Sequence, residues 1–127
     1  MQDLFAPTAG AVLCVWMPES EHVCVPGPKF RPVLLLDRAR REDGTLEVLV
    51  AYGNSQQTNC QGRADFVLRS AEAKFLHHDT KFRLEKRMWL PVTQAFFTNN
   101  GHVQILGSVP PTALRRLLIA AKEAGIV

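Results

Sequence analysis

The segment Lys29-Phe30-Arg31-Pro32-Val33-Leu34-Leu35-Leu36-Asp37 constrains this chain more than any other. An unbroken apolar run, Val33 to Leu36, bounded by turn formers, predicts a strand buried on both faces. Pro32 fits at the first position of such a strand, where its missing N–H costs no ladder bond. Arg31 then stands at the strand's mouth, between a stiff Pro and a buried run. A guanidinium fixed there suits a phosphate, which it can clasp with two parallel hydrogen bonds. The competing reading is an Arg at a solvated strand end, paired with a surface carboxylate.

The rest of the chain must cover both faces of that strand. Its 127 residues predict one domain over 1–127, and 46% hydrophobic content supplies the core. A net charge of +3 permits nucleic acid as a partner without demanding it. There is no run of apolar residues long enough to span a membrane. The Met1 end lacks the basic start and apolar stretch of a signal peptide. Cys14, Cys24 and Cys60 are odd in number and lack CxxC spacing, which predicts a reduced, cytoplasmic location. His77 and His78 are adjacent and poorly placed to share one ion, so no metal and no cofactor are expected.

In chain order, 1–9 predicts an extended or frayed lead. Gly10 to Trp16 is apolar and predicts a central strand ended by Pro18. Glu19 to Pro28 predicts a loop lying over the Arg31 mouth. Asp43-Gly44 marks a hairpin before a third strand, Leu46 to Tyr52. Asp65 to Leu68, Lys81 to Leu84, Met88 to Val92 and His102 to Gly107 predict further short strands. The period then changes. Leu114, Leu117, Leu118 and Ala121 share one face of a helix spanning 110–124, with Ser108 as an N-cap and Gly125 at C′. The fold class is therefore mainly β with a C-terminal helix, in a partly closed antiparallel barrel.

Three constellations carry possible chemistry. Lys29 and Arg31, with Arg38, Arg40 and Arg41, form either a phosphate site or a solvated hairpin tip. Asn54, Ser55, Gln56 and Gln57 follow the third strand. Their amides and hydroxyl can bond phosphate oxygens and base edges, or can cap their own backbone. Lys81, Arg83, Lys86 and Arg87 alternate with Phe82 and Trp89. That pattern matches a single-strand RNA surface and equally a half-buried strand with charges outward. There is no GxSxG elbow, so a serine hydrolase is a weak reading.

The ordered set Gly10 to Trp16, Lys29 to Leu36 and Leu49-Val50-Ala51-Tyr52-Gly53-Asn54-Ser55-Gln56 resembles the PemK/MazF family of toxin endoribonucleases. Lys81 to Leu84, Trp89-Leu90-Pro91 and the Leu-rich terminal helix extend the resemblance to about Gly125. It implies an SH3-like barrel, a homodimer, an antitoxin partner, and metal-independent cleavage of single-stranded RNA by the substrate's own 2′-OH. The family's strand-start Arg falls on Arg31, and its Thr-Ser pair falls on Asn54-Ser55. His22 matches a first-loop His of some members. Arg87 matches a later Arg, with Trp89 at the position of its Asp partner. Asn54 donates a hydrogen bond but cannot transfer a proton. The resemblance therefore implies catalytic Arg31, Asn54, Ser55 and His22. The residues expected to bind RNA are Lys29, Gln56, Gln57, Lys81, Arg83 and Arg87. The alternative is a barrel of the same kind that binds protein or nucleic acid without cutting.

Overall fold

The computed structural model describes residues 3–20 and 24–126. Five strands come first: β1 (Ala11–Trp16), β2 (Phe30–Arg40), β3 (Leu46–Asn54), β4 (Asp65–Leu68) and β5 (Thr80–Pro91). A short helix α1 (Gln94–Phe97) and a small ribbon of β6 (Thr98–Asn99) and β7 (His102–Val103) follow. Strand β8 (Ile105–Ser108), a 3₁₀ turn (Pro111–Ala113) and helix α2 (Leu114–Glu123) complete the chain. Six strands make one antiparallel sheet in the order β4-β5-β3-β2-β1-β8. The protein is mainly β with a C-terminal helix, as its sequence predicts. The sheet stays open, because the edge strands β4 and β8 do not pair. The β4–β5 connection bridges that opening, where Phe75 packs on Gly107 of β8.

The central strands are buried on both faces, as the apolar run predicts. Alternation along β1 and β2 sends Val12 and Leu34 into one core with Phe66, Phe82, Leu84, Ala120 and Ala121. Leu13, Val15, Val33 and Leu35 enter another with Val48, Val50, Leu90, Phe96 and Phe97. Each such large side chain contributes roughly 1.5–3 kcal/mol by leaving water. Pro32 is the third residue of β2 rather than its first. It is tolerated because β3 pairs with β2 only from Val33 onward.

Several elements differ from expectation. Lys81 to Leu84 and Met88 to Val92 belong to one long strand, β5. An irregularity opposite Ala51 and Gly53 of β3 interrupts its ladder and masks the continuity in the sequence. His102 to Gly107 divides between β7 and β8, and Ile105 faces solvent. Ser108 ends β8 and caps nothing; Pro110 precedes the 3₁₀ turn that leads into α2. The buried face of α2 is also rotated. Ala120 and Ala121 are buried, whereas Leu114 and Leu118 are 44% and 60% exposed. Small residues let the helix lie close to the sheet, which leaves Leu114 and Leu118 outside while Leu117 packs on the core. Gly125 does end the helix, with φ +79° and the paired bonds Gly125 N–H to Lys122 O and Ile126 N–H to Ala121 O. The described part of the lead is held on the sheet: Phe5 packs on Phe97 at 5.6 Å, and Asp3 pairs with Arg40 at 3.0 Å.

Candidate functional site around Arg31

Arg31 lies opposite Val15 near the start of β2, on the side of the sheet that carries Val33 and Leu35. Tyr52 follows Val50 on the same side of β3, opposite Val33. Their side chains meet there. Arg31 Nη1 donates to the Tyr52 hydroxyl at 2.6 Å, and the guanidinium carbon stands 5.7 Å from the ring centroid. Tyr52 thus holds the guanidinium by an edge bond and a cation–π contact. That bond uses one Nη1 hydrogen, and the other edges of the fork are outside it.

Arg31 borders two concavities. One, about 560 Å³, is lined by Met17, Pro18, Glu19, Ser20 and Pro28 with Lys29, Tyr52, Lys86, Arg87 and Met88. Lys29, Arg31, Lys86 and Arg87 stand against Glu19 alone among the charged residues lining it, so the cleft favours anions. Glu19, Ser20 and Pro28, at the described ends of the first loop, border this cleft. The second concavity, about 320 Å³, lies on the Cys14 and Pro32 side. Ser55, His77, His78, Thr80 and Gln104 contribute polar groups, and Phe75, Leu76 and Leu106 make its apolar wall. Burial pushes the Cys14 thiol up, which makes it a poor nucleophile. Among the described residues, no group of three His, Cys, Asp or Glu stands close enough to hold a metal.

The expected site residues separate into those brought together and those spent elsewhere. Lys29, Arg31 and Arg87 share the first cleft, and Ser55 joins Arg31 in the second. Arg87 is partly committed: its Nη1 donates to Leu84 O at 3.0 Å and to Ala124 O at 3.2 Å, which ties β5 to the end of α2. Asn54 Oδ1 accepts the Gln56 N–H at 2.8 Å, so it caps its own turn. Gln56 and Gln57 are exposed beyond that turn, and Gln57 adopts φ +54°. Lys81 is buried, and its Nζ donates to Cys60 O at 2.9 Å. Arg83 is exposed and lies 3.8 Å from Asp65 Oδ1. Trp89 pairs with Leu49 and is not among the residues lining either concavity. His22 lies outside the described residues. Sequence reasoning missed Tyr52, which looked like the end of a strand, and the His77–His78 turn, which looked only like a failed metal site.

No protein-family model matches this sequence, and no curated protein matches it either. A solved structure resembles it over nearly its whole length: an endoribonuclease in complex with its cognate antitoxin, from mycobacterial species. The TM-score is 0.62 at 16% identity, covering 96% of this chain and 98% of that one. The chain therefore shares the fold of that endoribonuclease.

Proposed function

We propose that this protein is a toxin-type endoribonuclease that cuts single-stranded RNA without a metal, in the cytoplasm, and that an antitoxin silences it. The carrying observation is Arg31, held by Tyr52 where a cationic cleft meets a second concavity lined by Ser55, His77 and His78. The fold shared with an antitoxin-bound endoribonuclease supports the same reading.

The chemistry of this reading is transesterification by the substrate's own 2′-OH. A strand laid across Arg31 places one phosphate on the guanidinium and its flanking nucleotides in the two concavities. The 2′-OH attacks that phosphorus as its proton leaves, and the P–O5′ bond breaks as the 5′ oxygen gains a proton. The products are a 2′,3′-cyclic phosphate and a 5′-hydroxyl. Arg31 stabilises the charge that grows on the phosphorane oxygens. Lys29 and Lys86 neutralise neighbouring phosphates. An antitoxin segment bearing carboxylates would cover the same cleft and compete for Arg31.

The test is incubation of purified protein and of Arg31→Ala with mixed single-stranded RNAs in EDTA. Discrete fragments from the parent, and far slower cutting by the variant, support this reading. Intact RNA at high protein concentration overturns it. One observation favours a second reading, a protein of this fold that binds without cutting: the Asn54 amide oxygen is engaged by its own backbone and the amide carries no transferable proton. Retention of the same RNAs without cleavage would select it.

A further inference from the structure

The proposed cleavage needs a proton carrier for the 5′ leaving oxygen, and Asn54 does not supply one. Resting on that reading, we infer that the His77–His78 pair, on the turn before β5, donates this proton from the second concavity. Both histidines line that cavity with Arg31 and Ser55. Histidine is the side chain whose ordinary ionisation lies nearest neutrality, so it can both give and regain a proton there. The other titratable groups lining the cavity among the described residues are Arg31, which does not give up its proton, and the Cys14 thiol, pushed up by burial.

The turn is built to hold the pair in place. Buried Leu76 anchors it on one side, and its N–H donates to Ala73 O at 3.0 Å. Thr80 Oγ1 donates to the His78 carbonyl at 3.0 Å on the other. Asp79 faces away from the cavity's needs: its carboxylate accepts from Arg69 at 3.1 Å and from the Ser70 N–H at 2.8 Å. The Phe75 ring packs against Gly107, where any Cβ would strike it. That contact brings the turn across the open edge of the sheet, where it shares the concavity with Arg31. Fixing a proton carrier on anchored backbone is what preorganisation requires.

The test uses the intact protein and two RNAs that differ at one atom. The first is an ordinary substrate. The second carries sulfur in place of the bridging 5′ oxygen at the cleaved bond, a leaving group that needs no proton. The double variant His77→Gln, His78→Gln should lose roughly 10²–10⁴-fold on the ordinary RNA. It should cut the sulfur-bridged RNA within a few-fold of the parent. Each single variant then shows which imidazole acts. Arg31→Ala should lose on both RNAs, because charge grows on the phosphorane in either case. Both histidines are exposed, so the double variant should keep the parent's melting temperature. Undiminished cutting of ordinary RNA by the double variant overturns the inference and leaves the endoribonuclease reading standing. An equal loss on both RNAs also overturns it, since the pair would then only position the strand. A parent inert on both RNAs overturns the two together.

Discussion

Arg31 is placed by its neighbours. The apolar run after it fixes β2 in the core, and Tyr52 fixes the guanidinium. Replacing Arg31 by Ala should leave the fold intact and slow cleavage by roughly 10²–10³-fold, the usual loss for one preorganised donor. Initial rates and a melting curve measured side by side check both halves. Tyr52→Phe removes the hydrogen bond and keeps the ring. Turnover should fall about tenfold, the equivalent of ~1.4 kcal/mol, with stability nearly unchanged. Turnover equal to the parent's would mean that the bond does not position Arg31. Asn54→Thr exchanges an amide for a hydroxyl at the turn. The Gln56 N–H then has a weaker cap, at a cost of about 0.5–1 kcal/mol in a urea titration. The same change should raise the cleavage rate, and an unchanged rate would show that the hydroxyl is not limiting. Arg31 was legible in the sequence because Pro32 and the apolar run leave it one place to stand. Tyr52 was not, because its partner is twenty-one positions away and only strand register joins them.

At the scale of elements, two glycines decide how closely segments approach. A Cβ at Gly53 would stand 2.8 Å from the Phe82 ring and 2.9 Å from Pro32 O. A Cβ at Gly107 would meet the Phe75 ring. Gly107→Ala should therefore destabilise by about 1–3 kcal/mol through overpacking. It should also slow cleavage by moving the turn that Phe75 carries; full activity despite lost stability would separate that turn from the site. The same turn has a pH limit. Hydrogen bonds from the Ser70 backbone, then the bond from Arg69, hold the Asp79 carboxyl below its ordinary value of 3.8. A depressed folded value stabilises above the unfolded value and is lost as pH falls through the folded one. The turn should thus be held throughout the neutral range and loosen only below about pH 3.8, seen as faster exchange of the Ser70 amide. The strands of the central sheet were legible because burial on both faces leaves plain apolar runs. Helix α1 was not, since Gln94-Ala95-Phe96-Phe97 is too short to show a period. The rotation of α2 was hidden too, because Ala and Leu score alike as apolar while only Ala permits the close approach.

For the whole molecule, the resemblance read from the sequence implies a homodimer, and α2 leaves Leu114, Leu118 and Ile119 on its outer side. Two-fold pairing is the commonest way such a chain covers apolar surface. Sedimentation at micromolar concentration should show a species about twice the 14.2 kDa chain, and a species at that mass alone would remove the expectation. No helix among the described residues is long and apolar enough to cross a membrane. Fold class was readable from alternation and turn chemistry, which are local. The site was readable only in part, because its second wall arrives from the β4–β5 connection and from β8, segments far from Arg31 in sequence. In the proposed reaction the RNA's own 2′-OH does the cutting under Arg31. The direct measurement compares one RNA with the same strand carrying a single 2′-deoxy sugar on the 5′ side of the cleaved bond, in EDTA. The first should give a 2′,3′-cyclic phosphate and a 5′-hydroxyl, and the second should not be cut at that bond. Equal cleavage of both strands, or a 3′-hydroxyl with a 5′-phosphate, would contradict it.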